Sequence, residues 1–136
     1  MTKTFIFLFL FHFLTFTSKG ANDNSFFVDI PDNIITAVRS GNSKEIAKYF
    51  NVKVDLKINN IEGFFSKVQA EQHLKEFFEK QPVKSFNITH KSTSNNGSMY
   101  VIGTIETTNG KYRTYFLLKT ENDKTFIHQF RIEVEN

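Results

Sequence analysis

Apolar residues follow three different patterns along the chain. Residues 5–16 are almost continuously apolar, broken only by His12 and Thr15. Twelve residues of helix span about 18 Å, well short of the ~30 Å hydrocarbon core of a bilayer. Lys3 precedes this run, and the small residues Ser18 and Gly20 stand three places and one place before the cut ahead of Ala21. Together these features predict a signal peptide over residues 1–20, and so an exported chain, periplasmic or secreted, with no membrane span after its removal; the alternative is an uncleaved anchor. Residues 21–28 read as a linker and residues 29–136 as a single domain.

Beyond the linker the apolar spacing becomes helical. Pro31 suits a first helical turn, with Ile34, Ile35 and Val38 on the apolar side and Gly41 as the stop. Asn42 followed by Glu45 starts a second short helix carrying Ile46, Tyr49 and Phe50. Val52, Val54, Leu56 and Ile58 then alternate with Lys53, Asp55, Lys57 and Asn59, a strand with one wet face. Residues 61–65 are a short aromatic piece. Ser66 with Gln69 forms a capping box that opens a helix to about Lys80, buried along Ala70, Leu74, Phe77 and Phe78 and ended by Pro82.

From Val83 onward the alternation is that of strands, with turns at Asn96-Gly97, Asn109-Gly110 and 121–124. Helix, helix, strand, helix and a four-strand meander make an α+β domain, its helices packed on one face of a bent antiparallel sheet. Two-residue turns at the Asn-Gly pairs place Gly103 between His90 and Phe116, and Glu106 opposite Arg113. One face then carries Phe86, Ile88, His90, Val101, Gly103, Ile105, Phe116 and Leu118, and is read as the core face. The other carries Tyr100, Ile102, Tyr115 and Leu117 among polar residues. In the last strand Phe126, His128, Phe130 and Ile132 are the apolar-rich set, which argues for His128 inward beside Leu118. A two-residue loop near Asn122 would turn it outward beside Leu117.

Composition removes several functions. The 136 residues include no Cys, which excludes disulfides, thiolate metal sites and a cysteine nucleophile. The formal charge of +3 falls to about +1 once Lys3 and Lys19 are set aside, leaving 15 basic against 14 acidic residues. No basic stripe marks a nucleic-acid partner. Phosphate loops and serine nucleophile motifs are lacking. His90 and His128, on the first and fourth meander strands, are separated by roughly 14 Å in a flat sheet, too far to share a metal. No cofactor is implied.

The stretches Gly103-Thr104, Asn109-Gly110-Lys111-Tyr112-Arg113, Phe116-Leu117-Leu118-Lys119 and Ile127-His128-Gln129-Phe130-Arg131-Ile132-Glu133 resemble a family of small exported bacterial proteins of unknown function. The order of elements is similar to the cone-shaped nuclear transport factor 2-like (SnoaL-like, cystatin-like) fold. The resemblance covers nearly all of residues 29–135 and implies that fold. The superfamily includes both isomerase- or dehydratase-like enzymes and pure binding domains. Their acid/base pairs are not matched, because Asp55 falls on a polar strand face between Lys53 and Lys57.

Two surfaces follow as expectations. Beneath the third helix, His90, Gly103, Tyr112, Phe116 and His128, roofed by Leu74 and Phe77, would line a small apolar ligand pocket, provided Phe116 stands upright rather than lying over Gly103. On the outer sheet face Tyr100, Ile102, Tyr115 and Leu117 would pair two copies back to back, the alternative being that the N-terminal arm of residues 26–30 covers them in the same chain. The expected function is a non-catalytic exported binding or interaction domain. The alternative is an isomerase- or dehydratase-type enzyme using His90 or His128.

Overall fold

The computed structural model describes residues 30–136. The signal peptide expected over residues 1–20 and the linker expected over residues 21–28 lie outside the described residues. Helix α1 (Asp32–Ser40) starts at Pro31 and ends at Gly41, which adopts φ 63°. There the Gly41 N–H bonds the Val38 carbonyl at 3.0 Å and the Asn42 N–H bonds the Ala37 carbonyl at 3.3 Å. This paired closure requires a left-handed residue and favours glycine. Helix α2 (Ser43–Ala47) is capped by Asn42, whose Oδ1 accepts from the Glu45 N–H at 3.1 Å. Helix α3 (Lys67–Lys80) has the expected capping box: Ser66 Oγ accepts from the Gln69 N–H, and Gln69 Oε1 accepts from the Ser66 N–H. Its buried residues are Ala70, Leu74, Phe77 and Phe78, as the spacing predicts.

The six strands are β1 (Phe50–Ile58), β2 (Ile61–Ser66), β3 (Val83–Thr93), β4 (Met99–Thr107), β5 (Gly110–Glu121) and β6 (Lys124–Val134). Their order in the sheet is β2-β1-β6-β5-β4-β3. Two expectations are corrected here. Residues 61–65 belong to a strand, hairpinned to β1 through Asn59-Asn60. The sheet is also not wholly antiparallel, since β1 runs parallel to β6. Phe50 opens β1 instead of closing α2. The β1–β6 register shifts between Phe50 and Asp55, which leaves Val52 77% exposed while Phe50 and Val54 both point inward.

Turn chemistry corrects the meander registers. The β4–β5 turn is centred on Thr108-Asn109, with Gly110 already in β5, so Gly103 faces Thr114 and Val101 faces Phe116. Faces are kept but partners move by two residues, and Glu106 lies opposite Lys111, not Arg113. At the β3–β4 end the Gly97 N–H bonds the Ser94 carbonyl and the Ser94 N–H bonds the Ser98 carbonyl, with Gly97 at φ 81°. That is a three-residue loop in place of a two-residue one. From this loop His90 pairs with Ile102 and is exposed on the outer face, and a bulge between Ile88 and His90 then returns Ile88 and Phe86 to the inner face. The β5–β6 turn is the two-residue Asn122-Asp123, both at positive φ (49° and 62°), the geometry of a type I′ hairpin. Ile127 therefore points inward beside Leu118. A bulge at His128 then restores Phe130 and Ile132 to the core.

Helices and inner sheet face enclose one apolar core. Phe50, Phe130, Phe116 and Phe86, all at most 1% exposed, form a row of rings across it. Phe50 meets Phe130 edge-on at 6.0 Å, Phe130 stacks on Phe116 at 5.8 Å, and Phe116 is 6.2 Å from Phe86. The last step crosses β4 at Gly103, where a Cβ would stand 2.5 Å from Phe86 Cε2 and 2.6 Å from the Asn87 carbonyl oxygen. Phe86, and not Phe116, is thus the ring laid over the glycine. Adding that Cβ forces the Phe86 ring and the β3 backbone to move. Gly103→Ala is expected to lower unfolding stability by about 2–3 kcal/mol in urea titrations, the range of overpacked cores.

Thr114 is fully buried on the same face, and its Oγ1 has no hydrogen-bond partner among the described residues. An unpaired buried hydroxyl costs about 1–3 kcal/mol. Thr114→Val keeps the branched shape and removes that penalty, so its urea midpoint should rise by the equivalent of about 1 kcal/mol.

Candidate functional site

The residues expected to form an inner pocket separate into two groups. Leu74, Phe77, Tyr112 and Phe116 are core residues, each at most 8% exposed. Phe77 meets Tyr112 edge-on at 5.0 Å, and Phe86 occupies the space above Gly103. His90 and His128 are not on this face. The predicted pocket is thus packed with the chain's own rings, and the acid/base alternative loses the cavity in which either histidine was to act.

The outer face collects the remaining candidates. Registers across all six strands define two rows on it. The first runs Phe64, Asp55, Gln129, Leu117, Tyr100, Ser92; the second runs Glu62, Lys57, Arg131, Tyr115, Ile102, His90. Tyr100, Ile102, Tyr115 and Leu117 are therefore four adjacent positions at the middle of the outer sheet face, as expected, the first three of them half-buried. The two tyrosine rings lie 5.9 Å apart at 34°. Burial, foremost, and the neighbouring Tyr100 raise the Tyr115 phenol above its ordinary pKa. Leu117 is only 8% exposed although it points away from the core.

One flank of this quartet is an ordered polar cluster that sequence reasoning passed over. Asp55 Oδ2 accepts from Arg131 Nη2 at 3.0 Å and from Gln129 Nε2 at 3.2 Å, and Arg131 Nη1 lies 3.6 Å from Glu62 Oε1. The Asp55 side chain is just 14% exposed. Lys57 and Glu133 pair beside it at 2.6 Å. Arg131 and Glu133 on β6 thus hold Asp55 and Lys57 on β1, partners some 76 residues away in the first case. The parallel β1–β6 pairing was the missing signal: without it Asp55 has no visible neighbour on β6.

His128 sits in the β6 bulge, with its side chain 18% exposed. Nδ1 is 3.5 Å from Asn51 Nδ2, and Nε2 is 3.4 Å from Glu121 Oε1 without the alignment of a hydrogen bond. Burial first, then Lys119, pushes its pKa below the usual imidazole value, against the opposite pull of Glu121.

Of the hollows among the described residues, two border the helices. One, of about 490 Å³, lies between the start of α1 (Ile30, Asp32, Ile35) and Ile88 and Lys91 of β3. The other, of about 240 Å³, lies between the Asn59-Asn60 turn and His73, Glu76, Phe77 and Lys80 of α3. His73 packs edge-on against Phe65 at 4.7 Å, as a residue at the edge of the buried stripe. No cluster of three His, Cys, Asp or Glu side chains suited to a metal occurs among the described residues.

With this geometry in view, residues 31–133 match a family model described as a domain of unknown function, DUF4783. The chain belongs to the DUF4783 family. Two solved members are similar to it. A DUF4783 protein from Bacteroides ovatus is 38% identical, covering 79% of this chain and 96% of that one at a TM-score of 0.73. Another from Bacteroides uniformis is 36% identical over 79% and 99%, also at 0.73. Beyond the family, the α+β architecture is shared with nuclear transport factor 2-like and cystatin-like folds. A Nostoc punctiforme domain of unknown function with a cystatin-like fold has 12% identity, covers 77% of this chain and 72% of that one, and gives a TM-score of 0.59. No curated protein matches the chain. The resemblance to a family of unknown function and the nuclear transport factor 2-like fold expected from sequence therefore hold.

The depressed pKa of His128 has a consequence for stability. Folding holds the ring neutral more strongly than the unfolded chain does, so protonation favours unfolding. The contribution is present above the unfolded imidazole pKa of about 6.5 and is lost as pH falls below it toward the lower folded value. Urea midpoints of the wild type should drop between neutral and mildly acid pH more than those of His128→Gln. Parallel curves for the two proteins would contradict this.

Proposed function

We propose that this DUF4783 chain is an exported, non-catalytic interaction domain, and that it works by pairing two copies through the outer face of the sheet. The carrying observation is the contiguous quartet of Tyr100, Ile102, Tyr115 and Leu117 at the centre of the outer sheet face, one flank of which is an ordered Asp55–Arg131–Gln129 cluster. Aromatic centres with polar, partly ordered rims are how protein interfaces are built. The area is adequate too. Six strands at 4.8 Å spacing and nine residues of strand length give a face of about 700 Å², close to the ~800 Å² per partner of a standard interface. The filled inner face supports the same reading, since a buried ligand would have to displace core rings. Export rests on the apolar run ahead of Ser18 and Gly20.

Sedimentation equilibrium tests this reading. Tyr115→Arg puts a charge at the centre of the quartet and should lower the average mass relative to wild type, with an unchanged circular dichroism spectrum. Wild-type protein that stays monomeric at high micromolar concentration would remove the proposal, as would a Tyr115→Arg protein that associates as well as wild type.

A further inference from the structure

Among the described residues the sheet has two free edges, β3 and β2, and they are built differently. An unpaired edge is a template for another strand, and proteins blunt it with bulges, lysines or proline. The β3 edge is blunted. Its register with β4 breaks twice, between Val83 and Ser85 and between Ile88 and His90, and it carries Lys84 and Lys91. The β2 edge has none of these devices. All six of its residues pair with β1 in unbroken register, and Ile61–Ser66 contains no lysine, arginine or proline. Its single charge, Glu62, is turned toward Arg131 on the outer face. Phe64 is 77% exposed on that face, opposite Asp55.

We propose that the β2 edge is a second self-association site, at which β2 pairs antiparallel with β2 of another copy and joins two six-stranded sheets into one. A two-fold axis perpendicular to the sheet keeps inner faces on one side, so directly opposed residues must share a face. Two registers satisfy this near the strand centre. One opposes Gly63 to itself and sets Glu62 against the apolar Phe64. The other opposes Phe64 to Phe64 of the partner subunit, Phe65 to Gly63 of the partner subunit, and Glu62 to Ser66 of the partner subunit. The second register is self-complementary. It gives each exposed Phe64 an aromatic cross-strand neighbour. It lays an aromatic side chain beside a bare glycine twice. It also brings Lys67 of the partner subunit next to Glu62, so opposite charges flank the seam. Strand addition over six residues is a small contact, in the class of weak interfaces below ~1,200 Å². Association through it is therefore concentration-dependent and separate from the outer-face contact.

The chain has no cysteine, so one introduced thiol reports the seam without background. Under mild oxidation Phe64→Cys is expected to form a disulfide dimer rapidly at micromolar concentration. Val68→Cys, equally exposed at 76% but on the first turn of α3, serves as the collision control and should cross-link much more slowly. In sedimentation velocity Phe64→Lys should lower the average mass while Tyr115→Arg leaves the edge contact in place. The two surfaces thus fail separately. Equal cross-linking at both cysteines, or association undiminished in Phe64→Lys, overturns the edge proposal whatever becomes of the outer face.

Discussion

The inner architecture depends on the absence of one side chain. Phe50, Phe130, Phe116 and Phe86 come from β1, β6, β5 and β3, and β4 would interrupt their row at Gly103 if it carried a Cβ. Because it does not, the Phe86 ring can lean across β4 toward Phe116. Each buried phenylalanine contributes on the order of 3–5 kcal/mol when judged by truncation, so the row is a large part of what holds helices to sheet. The same contact decides what the inner face can do. A glycine in a strand reads equally as a hollow or as a seat for a neighbouring ring, and here the ring takes the space.

Bulges and turns then determine which side chains reach which face. The Asn122-Asp123 turn sends Ile127 inward, and one extra residue at His128 lets Phe130 and Ile132 return to the core. On β3 the longer loop at Gly97 moves His90 to the outer face, opposite Ile102, and the break between Ile88 and His90 brings Ile88 and Phe86 back inward. The outcome is a clear division. Apolar rings and Tyr112 fill one side, while Tyr100, Tyr115, His90, His128 and the Asp55–Arg131–Gln129 cluster belong to the other. Any chemistry or recognition by these groups therefore operates at the outer sheet surface.

Much of this was legible in the amino-acid pattern, and the remainder was hidden for identifiable reasons. Helix starts at Asn42 and Ser66, the stop at Gly41 and the buried stripe of α3 are local effects that short stretches of chain encode. The outer quartet was legible because Tyr100, Ile102, Tyr115 and Leu117 keep their parity whether partners move by zero or two residues. His90 and His128 were misplaced because each lies at an odd-numbered slip, where one residue reverses the face. β2 was obscured by the adjacent Phe64 and Phe65, which break its visible alternation. The Asp55 cluster depends on β1 lying parallel beside β6, a non-local pairing that no local pattern announces.

That parallel pairing also orders events in time. β1 lies near the beginning of the domain and β6 at its end, so these two interior strands of the sheet meet only after nearly the whole domain is present. Until then the β1–β2 hairpin has α3 to pack on but lacks its neighbour on the other side, and a lone hairpin is marginal in water. Contacts of such long sequence separation fold slowly, because loop closure must precede the stabilising contacts. A chain built this way leaves its sheet incomplete until the last strand is made, so that β6 joins β1 on one side and β5 on the other.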